Sequence, residues 1–206
     1  LANKMTVETR LFTHDWRMTI GDLVVSPVTP AKVSAHIWGV ANTHTADSFE
    51  DKKRKFLAAR IEAAVQRNGL ATVIYAADDA DRANILGFGG VERITPPGTV
   101  PSVANLGLEL FPAARGRGVG TAFVRALLCL SVHVDVDQVE IGTMQDNAAM
   151  RGVARKLGLS ETLEIKYLPA GTDEIVADVM YFDIQRQFFS NINFDLTFGE
   201  QINWVQ

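Results

Sequence analysis

Sulfur, imidazole and surplus basic charge are what this chain has least of. It holds one cysteine, Cys129, and four histidines, His14, His36, His44 and His133, among 206 residues. One cysteine cannot close an internal disulfide or build a thiolate cluster, and no two histidines stand at ligand spacing, so no metal is expected. Cys129 lies in an apolar helical run and reads as core filler. Lys and Arg number 20 against 24 Asp and Glu, a net charge of −4, which argues against nucleic acid as the main partner and would not repel a cationic amine. No apolar run approaches the roughly eighteen residues of a membrane span, and no charged-then-apolar leader opens the chain, so no membrane partner is expected and the protein reads as cytoplasmic. The chain opens on Leu1, with Met5 following, a start that fits either extraneous first residues or a cut from something longer. Its length suits one domain with a substantial core.

What the chain does have is concentrated in Leu106–Gly120, L-G-L-E-L-F-P-A-A-R-G-R-G-V-G, where an apolar strand runs into a basic, glycine-dense turn that opens a helix. Glycine lets the backbone turn tightly and approach a ligand, while the freed N–H groups at a helix start attract anions. Arg115 and Arg117 add positive charge there, either as phosphate contacts or as solvated surface groups. Two other phosphate-binding turns do not fit. A P-loop needs G-x-x-x-x-G-K before Ser or Thr, and no lysine lies in this turn. A dinucleotide fingerprint needs G-x-G-x-x-G in an opening strand-helix-strand unit, whereas the spacing here is G-x-G-x-G past the midpoint.

A second informative segment covers residues 138–159. Q-V-E-I-G-T alternates like a strand, and after Met144-Gln145-Asp146 comes N-A-A-M-R-G-V-A-R-K-L-G-L. Asn147 stands at the N-terminal end of a helix reaching Leu157, and Gly158 sits where a left-handed cap is expected. Arg115, Gly118 and Gly120 match Arg/Gln-x-x-Gly-x-Gly/Ala, so the glycine turn resembles the acetyl-CoA signature of the GNAT acetyltransferases. The later segment resembles that family's second motif, an asparagine followed by a helix ending in K-L-G-F. The resemblance covers roughly residues 21–184. The pieces G-D-L-V-V-S-P-V-T-P, L-G-L-E-L-F-P and Y-L-P-A-G-T-D-E-I-V-A-D-V-M-Y resemble the RimJ/RimL-like branch. That branch modifies protein N-terminal amines and, in related members, small amines including polyamines and aminoacyl compounds.

The resemblance implies an α/β (α+β) GNAT fold, a mixed, mostly antiparallel sheet of about seven strands, splayed at the acetyl-CoA site and flanked by about four helices. Sequence patterning agrees. Strands are predicted at Leu23–Val28 and near 70–76, 84–92, 104–111, 138–144, 162–167 and 176–184. Helices are predicted at roughly 30–42, starting at Thr29-Pro30, and at 50–67. Others are expected after the glycine turn, where Val119, Ala122, Phe123, Ala126, Leu127 and Leu130 recur at helical spacing, and from Asn147 to Leu157. Residues 1–20 form an N-terminal extension, 21–184 the acetyltransferase domain and 185–206 an aromatic tail. Phe12, Trp16 and Met18 make the extension too apolar for a simple disordered leader. Phe188, Phe189, Phe194, Phe198 and Trp204 punctuate the tail without a clear period. Such a tail needs a surface, either the domain's own sheet or a second copy, and the resemblance, to a family that commonly dimerises, favours a homodimer.

Transfer of an acetyl group from a thioester to an amine requires a neutral nucleophile, a base for its proton and stabilisation of charge on the carbonyl oxygen. Glu109 is the best available base if its strand face lines the acceptor cleft; otherwise it is an ordinary solvent-facing or salt-bridged glutamate. Alternation puts Glu109 and Phe111 on the face opposite Leu108 and Leu110. By resemblance the Leu110 N–H faces the thioester, and cofactor contacts fall on Leu110, Phe111, Arg115, Gly116, Arg117, Gly118, Val119, Gly120, Thr121 and Asn147. Asn147 would hydrogen-bond the pantetheine arm or nearby backbone, compatible with capping its helix.

The leaving thiolate also needs a donor. Many members carry a tyrosine seven residues after the motif asparagine, where this chain has Ala154, and the RimJ/RimL-like group often has serine three residues after it, where this chain has Met150. Tyr167, an ordered water or positioning alone could substitute. Acceptor contacts are expected in Asn42–Lys55, where Asp47, Glu50 and Asp51 either hold an ammonium or favour the dipole of the next helix, and Lys52–Lys55 read as a solvated face. The function expected is acetyl-CoA-dependent N-acetylation of a small-molecule amine or a protein N-terminal amine, by direct transfer in a ternary complex. The alternative is a catalytically weak acyl-CoA-binding module.

Overall fold

The computed structural model describes residues 7–28, 60–66, 68–79, 85–96, 98–134, 136–159, 162–170, 173–189, 191–192 and 194–202, the strands between 162 and 183 by their backbone. Among the described residues nine strands form a single sheet. In chain order they are β1 His14–Ile20, β2 Leu23–Pro27, β3 Gly69–Ala76, β4 Ile85–Arg93, β5 Val103–Leu110, β6 Gln138–Met144, β7 Thr162–Ala170, β8 Asp173–Gln185 and β9 Asp195–Gln201. Their spatial order is β7-β8-β6-β5-β4-β3-β2-β1-β9. Every neighbouring pair is antiparallel except β5–β6. The helices are α1 Val7–Thr13, α2 Val119–Ser131, α3 Ala148–Lys156 and the short α4 Arg186–Phe189, with a further helical segment at 60–65.

The seven strands expected from patterning are present, and the sheet gains two more, β1 and β9. They pair antiparallel with each other at one edge. In β1, Trp16 and Met18 are buried while Arg17 and Thr19 face out, and the Trp16 indole N–H donates to Leu11 O at 3.1 Å. In β9, Leu196 and Phe198 alternate with exposed residues and pack against the main core, with the Arg10 guanidinium 4.0 Å over the Phe198 ring. The helix predicted at 30–42, with its start at Thr29-Pro30, lies outside the described residues, as does the first part of the one predicted at 50–67.

The sheet buries both faces. On one, α2 lays Phe123, Ala126, Leu127 and Leu130 against Val25, Ile74, Val91 and Leu106. Each such large side chain contributes about 1.5–3 kcal/mol through burial. On the other face, Val24, Val73, Tyr75, Phe88 and Phe111 pack with Ala64 from the 60–65 helix. Arg60, on that helix, is nearly buried. It pairs with Glu92 at 3.1 Å and donates to Asn105 O at 3.2 Å and Asn105 Oδ1 at 2.7 Å. Burial pushes its guanidinium below its ordinary pKa, with the Glu92 carboxylate pushing it back up.

The β5–β6 contact positions the site. Its paired register covers only Val103–Asn105 with Gln138–Glu140, whereas β4 pairs with β5 from Ala104 to Leu110 and β6 with β8 from Gln138 to Met144. The two parallel strands therefore meet at one end and part beyond it. At the closed end Asp137 Oδ2 accepts from Ser102 N at 2.8 Å and Ser102 Oγ at 3.0 Å, and Asp137 N donates to Ser102 O at 2.9 Å. The Ser102 N–H foremost, and then the Ser102 hydroxyl, hold the Asp137 carboxyl below the usual carboxylate range.

Candidate active site

Where β5 and β6 part, a cleft of about 790 Å³ opens, within the range of about 300–1,000 Å³ for small-molecule sites. One wall is β5, from Asn105 to Leu110. The Phe111 N–H donates to Leu86 O on β4 at 2.9 Å, so strand alternation turns the N–H and C=O groups of Leu110 and Leu108 away from β4 and into the gap. The opposite wall is β6 and α3, through Ile141, Gly142, Thr143, Asn147 and Met150.

The turn after β5 closes the cleft. Pro112–Ala114 form one 3-10 turn, and Gly116 and Gly118 then take φ of 73° and 83°, a left-handed conformation that a Cβ would strain. Gly118 is the N-cap of α2 and offers no side-chain cap, so the first-turn N–H groups of the helix are left without an intrahelical partner. A Cβ built on Gly118 would meet nothing within 4 Å. The result is an uncapped, positively polarised helix start facing open space, a geometry suited to phosphate. Lys156, at the far end of α3, adds a positive side chain to the same cleft.

Glu109 and Arg115 meet. Arg115 Nη2 lies 2.9 Å from Glu109 Oε1, and its Nε donates to Leu110 O at 3.0 Å. Glu109 lies across from Phe88 on β4, with Phe111 on the same face, while Leu108 and Leu110 pack on the other core, as alternation predicts. Both Glu109 and Arg115 line the cleft, together with Leu110, Gly116, Gly118, Gly120 and Thr121. Three of the residues carried over from the resemblance do not line it. Phe111 is buried against Phe88, ring centroids 6.1 Å apart; Val119 is buried in the main core; Arg117 is exposed on the turn.

Asn147 caps α3. Its Oδ1 accepts from Met150 N at 3.1 Å, and its Nδ2 donates to Thr143 Oγ1 at 2.9 Å. The backbone N–H of Met150 can only donate, which fixes the amide's orientation. At the other end Gly158 takes φ of 72°, Gly158 N donates to Arg155 O and Leu159 N to Ala154 O, the paired bonds of a Schellman cap. Ala154, fully buried, and Met150, half-buried in the cleft wall, have no side-chain donor to offer. The Tyr167 side chain and Asp47, Glu50, Asp51 and Lys52–Lys55 lie outside the described residues. Among the described residues no group of three or more His, Cys, Asp or Glu could hold a metal, and no helix is long and apolar enough to cross a membrane.

The acetyltransferase (GNAT) domain family matches residues 23–160. The chain belongs to the GNAT acetyltransferase family. No curated protein matches it in sequence. Among solved structures, this GNAT domain is similar to spermidine N-acetyltransferase from Vibrio cholerae in complex with CoA and spermine, at TM-score 0.60 and 12% identity over 84% of this chain and 100% of that one. Ribosomal-protein-S5-alanine acetyltransferase from Vibrio fischeri gives TM-score 0.62 and 14% identity over 82% and 96%. Mycobacterium smegmatis RimJ, in complex with CoA-disulfide, gives 0.59 and 17% over 85% and 87%. These likenesses concern the GNAT fold. Sequence reasoning had not placed Asn105, Thr143 or Lys156 in the site. The strand alternation that turns Thr143 to the same face as Ile141 was the one available signal.

Proposed function

We propose that this GNAT acetyltransferase moves an acetyl group from acetyl-CoA to a primary amine by direct transfer, with a RimJ/RimL-like or polyamine-type acceptor. The observation that carries the reading is the edge of β5 left unpaired on its β6 side, leading to the uncapped start of α2. The gap has backbone N–H groups along its β5 wall and a positive helix end, which suits an extended chain terminating in a diphosphate.

In this reading the N–H groups of the first turn of α2, with Lys156, hold phosphate, and the inward N–H groups of Leu108 and Leu110 align the arm and polarise the carbonyl. Bound acetyl-CoA supplies an activated acyl group on a thiol leaving group. Glu109 takes the proton from the attacking amine, directly or through water, using the carboxylate oxygen that Arg115 leaves open. Arg115 holds that carboxylate in place and ties it to Leu110.

The reading extends to a cytoplasmic homodimer without nucleic-acid or membrane partners; net charge −4 supports the first exclusion. Ala154 and Met150 favour a second reading, a binding module with little turnover. Acetyl-CoA calorimetry, combined with thiol release across N-terminal peptides, polyamines, aminoglycosides and aminoacyl compounds, separates the two. Binding with release is expected; binding without release across the panel points to the module, and no binding sinks both. Glu109→Gln is expected to lower kcat by about 10²–10⁴-fold with acetyl-CoA affinity kept, and a wild-type kcat in that variant would remove Glu109 as the base.

A further inference from the structure

The arrangement around Thr143 points to a role that the rest of the site leaves open, and it rests on the acetyl-transfer reading above. Thr143 lies on β6 in the cleft wall and is 9% exposed. Extending the Val103–Gln138 register in step brings it level with Leu108, on the part of β6 that no longer pairs with β5. Its Oγ1 accepts from Asn147 Nδ2 at 2.9 Å. Because Asn147 Oδ1 is held by Met150 N, the amide presents its NH₂ to Thr143 and cannot take a proton from it. The threonine hydroxyl is therefore an acceptor toward Asn147 and keeps its own proton to give. Among the described residues that proton meets no acceptor. An oriented hydroxyl in the cleft wall with an unspent proton is placed to donate to whatever fills the cleft.

We propose that the Thr143 hydroxyl donates a hydrogen bond to the sulfur of the bound coenzyme and stabilises it as it leaves. In the transfer, the neutral amine nitrogen forms a bond to the carbonyl carbon, the carbon–sulfur bond breaks, and its electron pair stays on sulfur. Glu109 receives the amine proton. Thr143 keeps its proton and shares it with the sulfur, and the thiolate takes a proton from water on release. The chain thus meets from β6 the requirement that Ala154 and Met150 on α3 leave unmet.

The test uses free CoA and the whole chain, and needs no acceptor. The ultraviolet absorbance of bound CoA thiolate is followed against pH for wild type, Thr143→Val and Thr143→Ser. Glu109, Arg115 and Lys156 are the charged groups lining the cleft, and they are the same in all three proteins. A hydrogen bond to a charged atom is worth enough to shift the titration by about one to two pH units. Thiolate is expected at lower pH in wild type and Thr143→Ser than in Thr143→Val, with kcat on an active acceptor falling roughly ten- to hundredfold in Thr143→Val, restored by serine, and KM for acetyl-CoA little changed. Superimposable titrations in the three proteins overturn the role of Thr143 while leaving acetyl transfer standing. Failure of wild type to bind CoA overturns the transfer reading and this proposal together.

Discussion

At the scale of single residues, the groups that matter are defined by what holds them. Glycine at 118 was legible because only a residue without Cβ sits easily at φ 83°. The Glu109–Arg115 pair was not, although both residues had been singled out. They are joined across the turn that Pro112–Ala114 make, and nothing in the spacing says that the arginine folds back on the strand it follows. The same holds for Thr143 and Asn147, which meet across the strand-to-helix corner. Asp137 carries a pH prediction. Its folded carboxyl is held below the ordinary range by the Ser102 N–H and then the Ser102 hydroxyl. A depressed carboxylate contributes stability that is present above its unfolded pKa, about 4, and is lost as pH falls through the lower folded value. Acidification from pH 7 to 3 is therefore expected to lower the urea midpoint more in wild type than in Asp137→Asn; equal losses would remove Asp137 as an acid-sensitive group.

At the scale of elements, the helix and strands carrying the two motifs were legible because their periodicities are long and their caps strong. In α2 Phe123 to Leu130 repeats at helical spacing, and the Gly158 cap falls just past the end of α3. Strands β1 and β9 were missed for a different reason. Each pairs with the other along most of its length, and the two stand at opposite ends of the chain. Trp16 and Met18 did alternate with Arg17 and Thr19, but two apolar positions are a weak signal without a partner. Their burial is large all the same. Trp16→Ala is expected to destabilise by about 3–5 kcal/mol, read as a fall in urea midpoint. A loss below about 1 kcal/mol would mean that β1 is an appendage rather than part of the core.

At the scale of the whole molecule, the sheet is two plates. One runs from β9 to β5 and the other from β6 to β7, and the paired register between them covers three residues a side. CoA is expected to slow amide hydrogen exchange at Leu108 and Leu110, whose N–H groups face the gap, and to leave β2 and β3 unchanged. Protection confined to the turn around Gly118 would place the ligand outside the gap. Ser102 and Asp137 sit at the closed end, opposite the chemistry. Their place is that of a fulcrum: a small rotation about that carboxylate would be magnified along β5 and β6 into a change of jaw width beyond the three paired residues. Substitutions at the fulcrum would thus register as altered grip on the ligand although they touch none of it, and in acid the jaws would loosen from the hinge rather than from the teeth.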